Sequence, residues 1–228
     1  MQRAGIEENQ PIEMNLVSKA IGWAQNRVEG HHFEIRKNLV QYDDVNNKHR
    51  EVIYGERRKI LEGIDVQDNI WPMIENEIQN VFALHLAEDG RAIERIEEFL
   101  QDISLIFPIP DELQSSRLQN MDYEETQDVV IDYAHNLYDQ LGIKAGIEQI
   151  RNLERLVMLR AIDAHWVGHL TAMENLRQGI GLHAYGQRDP LVMYNTEAHE
   201  KFQEVLGLVQ RDIAHTIFHV TGQLSNPN

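Results

Sequence analysis

Histidine is the residue whose spacing in this chain most invites a chemical reading. Among its eleven copies, His165/His169 and His215/His219 each sit one helical turn apart, with Asp163 and Asp212 close by in sequence. A separation of four residues puts both imidazoles on one helix face, as a metal site requires. A helix-borne carboxylate–histidine centre would also need a Glu-x-x-His arrangement repeated on paired helices. The sequence lacks that repeat, so the weight falls on interface or surface histidines of a helical hairpin. A stand-alone helical metal-binding protein remains the alternative, and metal content of the purified chain would distinguish it. The carboxylate pair Asp43-Asp44, after Tyr42, is a poor proton-sharing dyad because adjacent helical residues point about 100° apart. Such acids are better placed to bond across to basic or amide groups of a docked neighbour. Further along, Lys48, Arg50, Arg57, Arg58 and Lys59 make a basic end, partly neutralised by Glu51 and Glu56. No glycine-rich segment ends in Gly-Lys-Ser/Thr, and no Gly-x-Gly-x-x-Gly follows a strand. We expect no nucleotide site wholly inside this chain and assign no catalytic residue and no metal ligand. The absence of cysteine removes disulfides, thiolate catalysis and cysteine-ligated zinc.

A third place of interest is the segment from Gly179 to Pro190. Helix–helix connections usually take two to eight residues. This one is expected to run about twelve and carries Gly179, Gly181 and Gly186. It sets Ile180, Leu182 and Tyr185 beside Arg177 and Arg188. Two readings stand level: an apolar, cation-flanked tip that contacts a partner, or Leu182 and Tyr185 folded back on their own helices.

The elements that position these groups read as helices throughout. Val17, Ile21, Ala24, Val28, His31, Ile35, Tyr42, Val45 and Val52 recur at helical steps, with Asn38 and His49 filling the weaker turns. A single helix over 12–63 follows, roughly 75 Å long, after a linker-like stretch at 1–11. Gly63 reads as its stop. The middle block, 64–145, is expected to form a small helical subdomain. It should contain a helix over 69–87 with Pro72 in its first turn, another ended by Pro108-Ile109-Pro110, a short one after Asp111, and one capped by Asp122 and closed by Gly142. A long helical pattern then returns, and 146–223 reads as an antiparallel hairpin packed along the first helix, with a frayed tail at 224–228. The predicted fold class is therefore all-α. A coiled-coil adaptor is a further alternative, which a stable homodimer in sedimentation would distinguish.

The charge is concentrated. Between Glu62 and Asp139 nineteen acids face three arginines, an excess that equals the chain's whole formal charge of −16. Nucleic-acid binding needs a basic footprint, so a nucleic acid is not expected as the main partner. No apolar run approaches the length of a membrane span, and the first residues lack the apolar core of a secretory signal.

Longer strings carry a resemblance. Phe33-Glu34-Ile35-Arg36-Lys37-Asn38-Leu39-Val40-Gln41-Tyr42-Asp43-Asp44-Val45, continuing to Arg50-Glu51-Val52-Ile53-Tyr54, closely resembles the SecA family of preprotein translocase ATPases. So do Ile162-Asp163-Ala164-His165-Trp166-Val167-Gly168-His169-Leu170 and Tyr185-Gly186-Gln187-Arg188-Asp189-Pro190. The resemblance implies that 12–63 is a helical scaffold, 64–145 a helical wing and 146–223 a two-helix finger, with 1–11 leading from a motor domain. It further implies that the chain is a portion of a larger ATPase using ATP and magnesium, which moves unfolded preproteins through the SecYEG channel. Such a protein is cytoplasmic and peripherally bound to the inner face of the cell membrane. On this reading Ile180, Leu182, Tyr185, Arg177 and Arg188 are the expected contacts with preprotein and channel. Arg36, Tyr42, Asp43 and Asp44 are the expected contacts with the motor domains.

Overall fold

Seven α-helices and one short 3₁₀ turn account for the regular structure of a computed structural model, which describes residues 15–63, 67–85, 95–119, 121–183 and 189–224. α1 (Asn15–Leu61) is a single helix of 47 residues, about 70 Å long at 1.5 Å per residue. It ends where Gly63 takes φ +74, a left-handed conformation that glycine adopts without a Cβ clash. α2 (Gln67–His85), α3 (Ile96–Ile106), a 3₁₀ turn at Asp111–Leu113, α4 (Ser115–Leu118) and α5 (Tyr123–Ala145) form the middle block. α6 (Ile147–His183) and α7 (Pro190–Leu224) form the hairpin. Among the described residues no strand occurs, so the fold is all-α as expected.

Local chemistry explains the boundaries. The Asp122 side chain accepts from the Glu125 backbone N–H at 2.9 Å, satisfying one of the free donors at the start of α5. The sequence placed the end of that helix at Gly142. Instead α5 runs on to Ala145, and the break falls at Gly146, with φ +86 and ψ 141. A helical glycine costs only about 1 kcal/mol, too little to end α5 by itself. The expected twelve-residue loop is corrected in the same way, since α6 continues through Gly179 and Ile180 to His183. Pro72 lies not in the first turn but inside α2, which begins at Gln67, and it leaves one helical hydrogen bond unmade.

One continuous core ties the middle block to the base of the hairpin. Ile70, Ile74, Ile78 and Phe82 of α2 meet Phe99, Ile103 and Phe107, then Val130 and Ala134 of α5, and Ile213, Ala214, Ile217 and Phe218 of α7. α1 enters this core only through its C-terminal half, at Ile53 and Ile60, against Val157, Met158, Ile162 and Trp166 of α6. A second, smaller cluster sits at the far end of the hairpin, where Met173, Leu176, Ile180, Tyr194 and Ala198 pack with Tyr42 and Val45. The rest of α1 is bare. Every residue from 23 to 40 is exposed, including Trp23, Val28, Phe33, Ile35, Leu39 and Val40.

Candidate functional site

The inward face of α1 makes a ladder of contacts with the hairpin, one rung every turn or two. Tyr42 meets Tyr194 edge-on, with ring centroids 4.6 Å apart. His49 stacks flat on Phe202 at 4.1 Å, and its Nδ1 lies 3.1 Å from His169 Nε2. Tyr54 meets Trp166 at 6.3 Å. Arg57 donates twice to the Asp163 carboxylate, at 3.1 and 3.4 Å. These partners descend along α6 while α1 ascends, so α6 is antiparallel and α7 parallel to α1. Side chains four and seven residues apart share one helix face, and positions 42, 49 and 53 follow that rule on α1.

Electrostatics follow burial along the ladder. Burial of the ring, then the neighbouring His169 and His199, push the His49 imidazole down to about 4. Burial, and then Lys201, lower His169 as well. Both rings are therefore neutral near neutral pH, and their hydrogen bond needs a lone pair from only one of them. Burial, then the Asp189 charge, raises the Tyr42 phenol.

The residues expected to meet partners divide between two settings. Arg36, Asp43 and Asp44 are exposed on α1, and Tyr42 is half-buried against the hairpin. Ile35, Asn38, Leu39, Tyr42, Arg177 and Gln178 line a groove of about 350 Å³ between α1 and α6. Arg177 is held by Glu174 at 2.9 Å, and that pairing, with Asp43 further off, raises its guanidinium further. Ile180 is only 3% exposed, so here it packs inside the tip cluster rather than standing out for a partner. Leu182 falls in the last turn of α6, while Tyr185 and Arg188 lie outside the described residues.

The paired histidines serve joints between helices. His165 reaches Asp212 at 3.4 Å, His215 reaches Glu77 at 3.3 Å, and His219 meets the Leu105 carbonyl at 3.0 Å. Among the described residues no three His, Cys, Asp or Glu side chains come together as a metal site would require. Two buried carboxylates escaped sequence reasoning. Glu77 accepts from Arg211 at 3.1 Å and Asn80 at 3.3 Å, joining α2 to α7. Glu154 accepts the Tyr138 hydroxyl at 2.5 Å and Arg151 at 3.2 Å, joining α5 to α6. His49 could have been found, since it occupies an inward step of the α1 stripe between Tyr42 and Ile53.

A long helix braced along half its length by a helical hairpin, with a helical block at the hairpin's base, defines an all-α helical-scaffold class of protein. The family model described as the SecA wing and scaffold domain matches residues 11–221, and the chain belongs to that family. Among its relatives, a protein translocase subunit SecA of Dehalococcoides mccartyi (strain ATCC BAA-2266 / KCTC 15142 / 195) is 45% identical over 99% of this chain and 24% of its own length. One from Heliobacterium modesticaldum is 38% identical over 96% of this chain and 26% of its own length. Protein translocase subunit SecA 1 of Clostridioides difficile is 36% identical over 97% and 24%. The chain thus spans about a quarter of the length of these relatives. Among the described residues no helix is long and apolar enough to cross a membrane.

Proposed function

We propose that this chain is the mechanical and regulatory part of a SecA-type translocase, carrying movement rather than making or breaking bonds. ATP hydrolysis with magnesium takes place in motor domains that belong to the remainder of the relatives' length. The long helix takes up that motion and the hairpin passes it to an unfolded preprotein at the mouth of a SecYEG channel. In return, the module sets the rate of hydrolysis. The working place is the cytoplasm and the inner face of the cell membrane.

One observation carries the reading: α1 is gripped by the hairpin from Tyr42 to Ile60, yet its first half leaves a row of large apolar side chains in solvent. Trp23, Phe33 and Val40 are each more than half exposed. An unpartnered apolar surface of that extent marks an interaction site. Arg36, Asp43 and Asp44 border that surface and supply polar contacts to the motor domains. Arg177, Ile180, Leu182, Tyr185 and Arg188 are assigned to preprotein and channel, with Ile180 acting by supporting the tip from within.

The test is the ATPase rate of separately produced motor domains with and without this chain. We expect the chain to change that rate, and Phe33→Ser/Val40→Ser to abolish the change while the fold persists. An unaltered rate on adding the wild-type chain would refute the proposal. The tip assignment is tested separately in the longer translocase, where Tyr185→Ala should impair preprotein transport and leave ATP hydrolysis in place.

A further inference from the structure

The only ring-to-ring hydrogen bond among the described histidines lies at the middle rung of the ladder. His49 and His169 are 7% and 2% exposed, with Nδ1 and Nε2 3.1 Å apart. Phe202 seals the pair, stacked on His49 at 4.1 Å and lying 5.5 Å from His169. Trp166 covers the His169 ring at 5.4 Å. Three helices thus meet at two imidazoles, and one shared proton makes their bond. We propose that the His49–His169 pair is a proton-sensitive clasp between the long helix and the hairpin, closed while at least one ring keeps its lone pair and opened when both rings are protonated.

The chemistry is that of a donor forced against a donor. A neutral imidazole offers one N–H and one lone pair, whereas an imidazolium has only N–H groups. At 3.1 Å a pair with one imidazolium still has a lone pair to receive the N–H, whereas protonation of both rings sets two N–H groups and two positive charges against each other in a nearly buried site. The His169 Nδ1 is already buried without a hydrogen-bond partner, so the ring cannot relieve the clash by turning its bond outward.

The surroundings offer a second proton little shelter. From α7 the charged or titratable neighbours are His199, which acts on His49, and Lys201, which acts on His169. Glu204 of α7 and His165 of α6 share a groove wall with His169, and His165 is engaged by Asp212. On α1 the flanking Lys48 and Arg50 are exposed and positive. An unfolded chain takes up these protons near pH 6.5, while the clasped His49 resists until about 4. The clasp is therefore intact above about pH 6.5 and weakens as pH falls toward 4, because the open state binds more protons.

The chain has no cysteine, so Glu51→Cys on α1 and Val167→Cys on α6, both at exposed positions, allow paired spin labels. The separation between labels should hold from pH 8 to about 6.5 and lengthen below it. In a His49→Gln background it should stay short, since a glutamine amide can accept from a protonated His169. We expect the opening midpoint to fall by at least about one pH unit, a tenfold change in proton affinity. Opening at the same pH in both backgrounds would overturn the clasp. Should His49→Gln fail to fold, ring NMR of the wild-type chain decides: protonation of both imidazoles and label separation should change together, and protonation of both without separation would equally overturn it.

Discussion

At the scale of single residues, what holds this chain together beyond apolar packing is a set of buried acceptors, each supplied with donors from another helix. Glu77 is the clearest case. Burial would raise its carboxyl, but hydrogen bonds from His215 and Asn80 and the Arg211 charge outweigh it and leave the group below the ordinary carboxylate range. A carboxylate depressed in the folded state stabilises the fold above its unfolded pKa, and the contribution is lost as pH falls through the folded value. Glu77→Gln should therefore cost about 1–3 kcal/mol at pH 7, and it should flatten the loss of stability below about pH 4.5. Urea unfolding across pH 3 to 7 measures both. Tyr138 and Glu154 play the matching role between α5 and α6, where burial, followed by the hydrogen bond to Glu154, drives the phenol strongly upward.

At the scale of elements, the helices were legible because apolar steps of three and four survive wherever a helix has one partner face. The Asp122 cap was legible because its chemistry is local. Boundaries at Gly142 and Gly179 were not, because a glycine's helix penalty of about 1 kcal/mol does not by itself end a helix. α5 runs past Gly142 to Ala145 although Ile143 is 81% exposed, and Met173, Leu176 and Ile180 hold α6 past Gly179. The true break, Gly146, requires a backbone conformation that side chains with a Cβ rarely adopt. Gly146→Ala should cost about 1–3 kcal/mol, measurable by denaturant unfolding, although the space around it is open. The same substitution at Gly142, which is helical and uncrowded, should stabilise the fold by about 0.4–1 kcal/mol.

At the scale of the whole molecule, the sequence announced a long helix and a hairpin but could not say which turns of the helix the hairpin covers. An apolar stripe looks the same whether its partner lies in this chain or outside it. Val45, which packs at the tip, and Ile35, which is 50% exposed, belong to one rhythm. Only the fold separates the braced half from the bare one. The candidate site was less legible: Tyr42 and Arg177, expected to meet different partners, converge on one groove, and the burial of Ile180 depends on α6 continuing past Gly179. That division of α1 is the central claim, and backbone hydrogen exchange tests it most directly. Exchange along α1 should be compared between this chain alone and a longer polypeptide that also carries the motor portion. The account predicts slow exchange at 42–60 in both, and fast exchange at 23–40 that slows at least about tenfold in the longer protein, as burial of an exposed helix raises its opening free energy. Equal exchange at 23–40 in the two would contradict it.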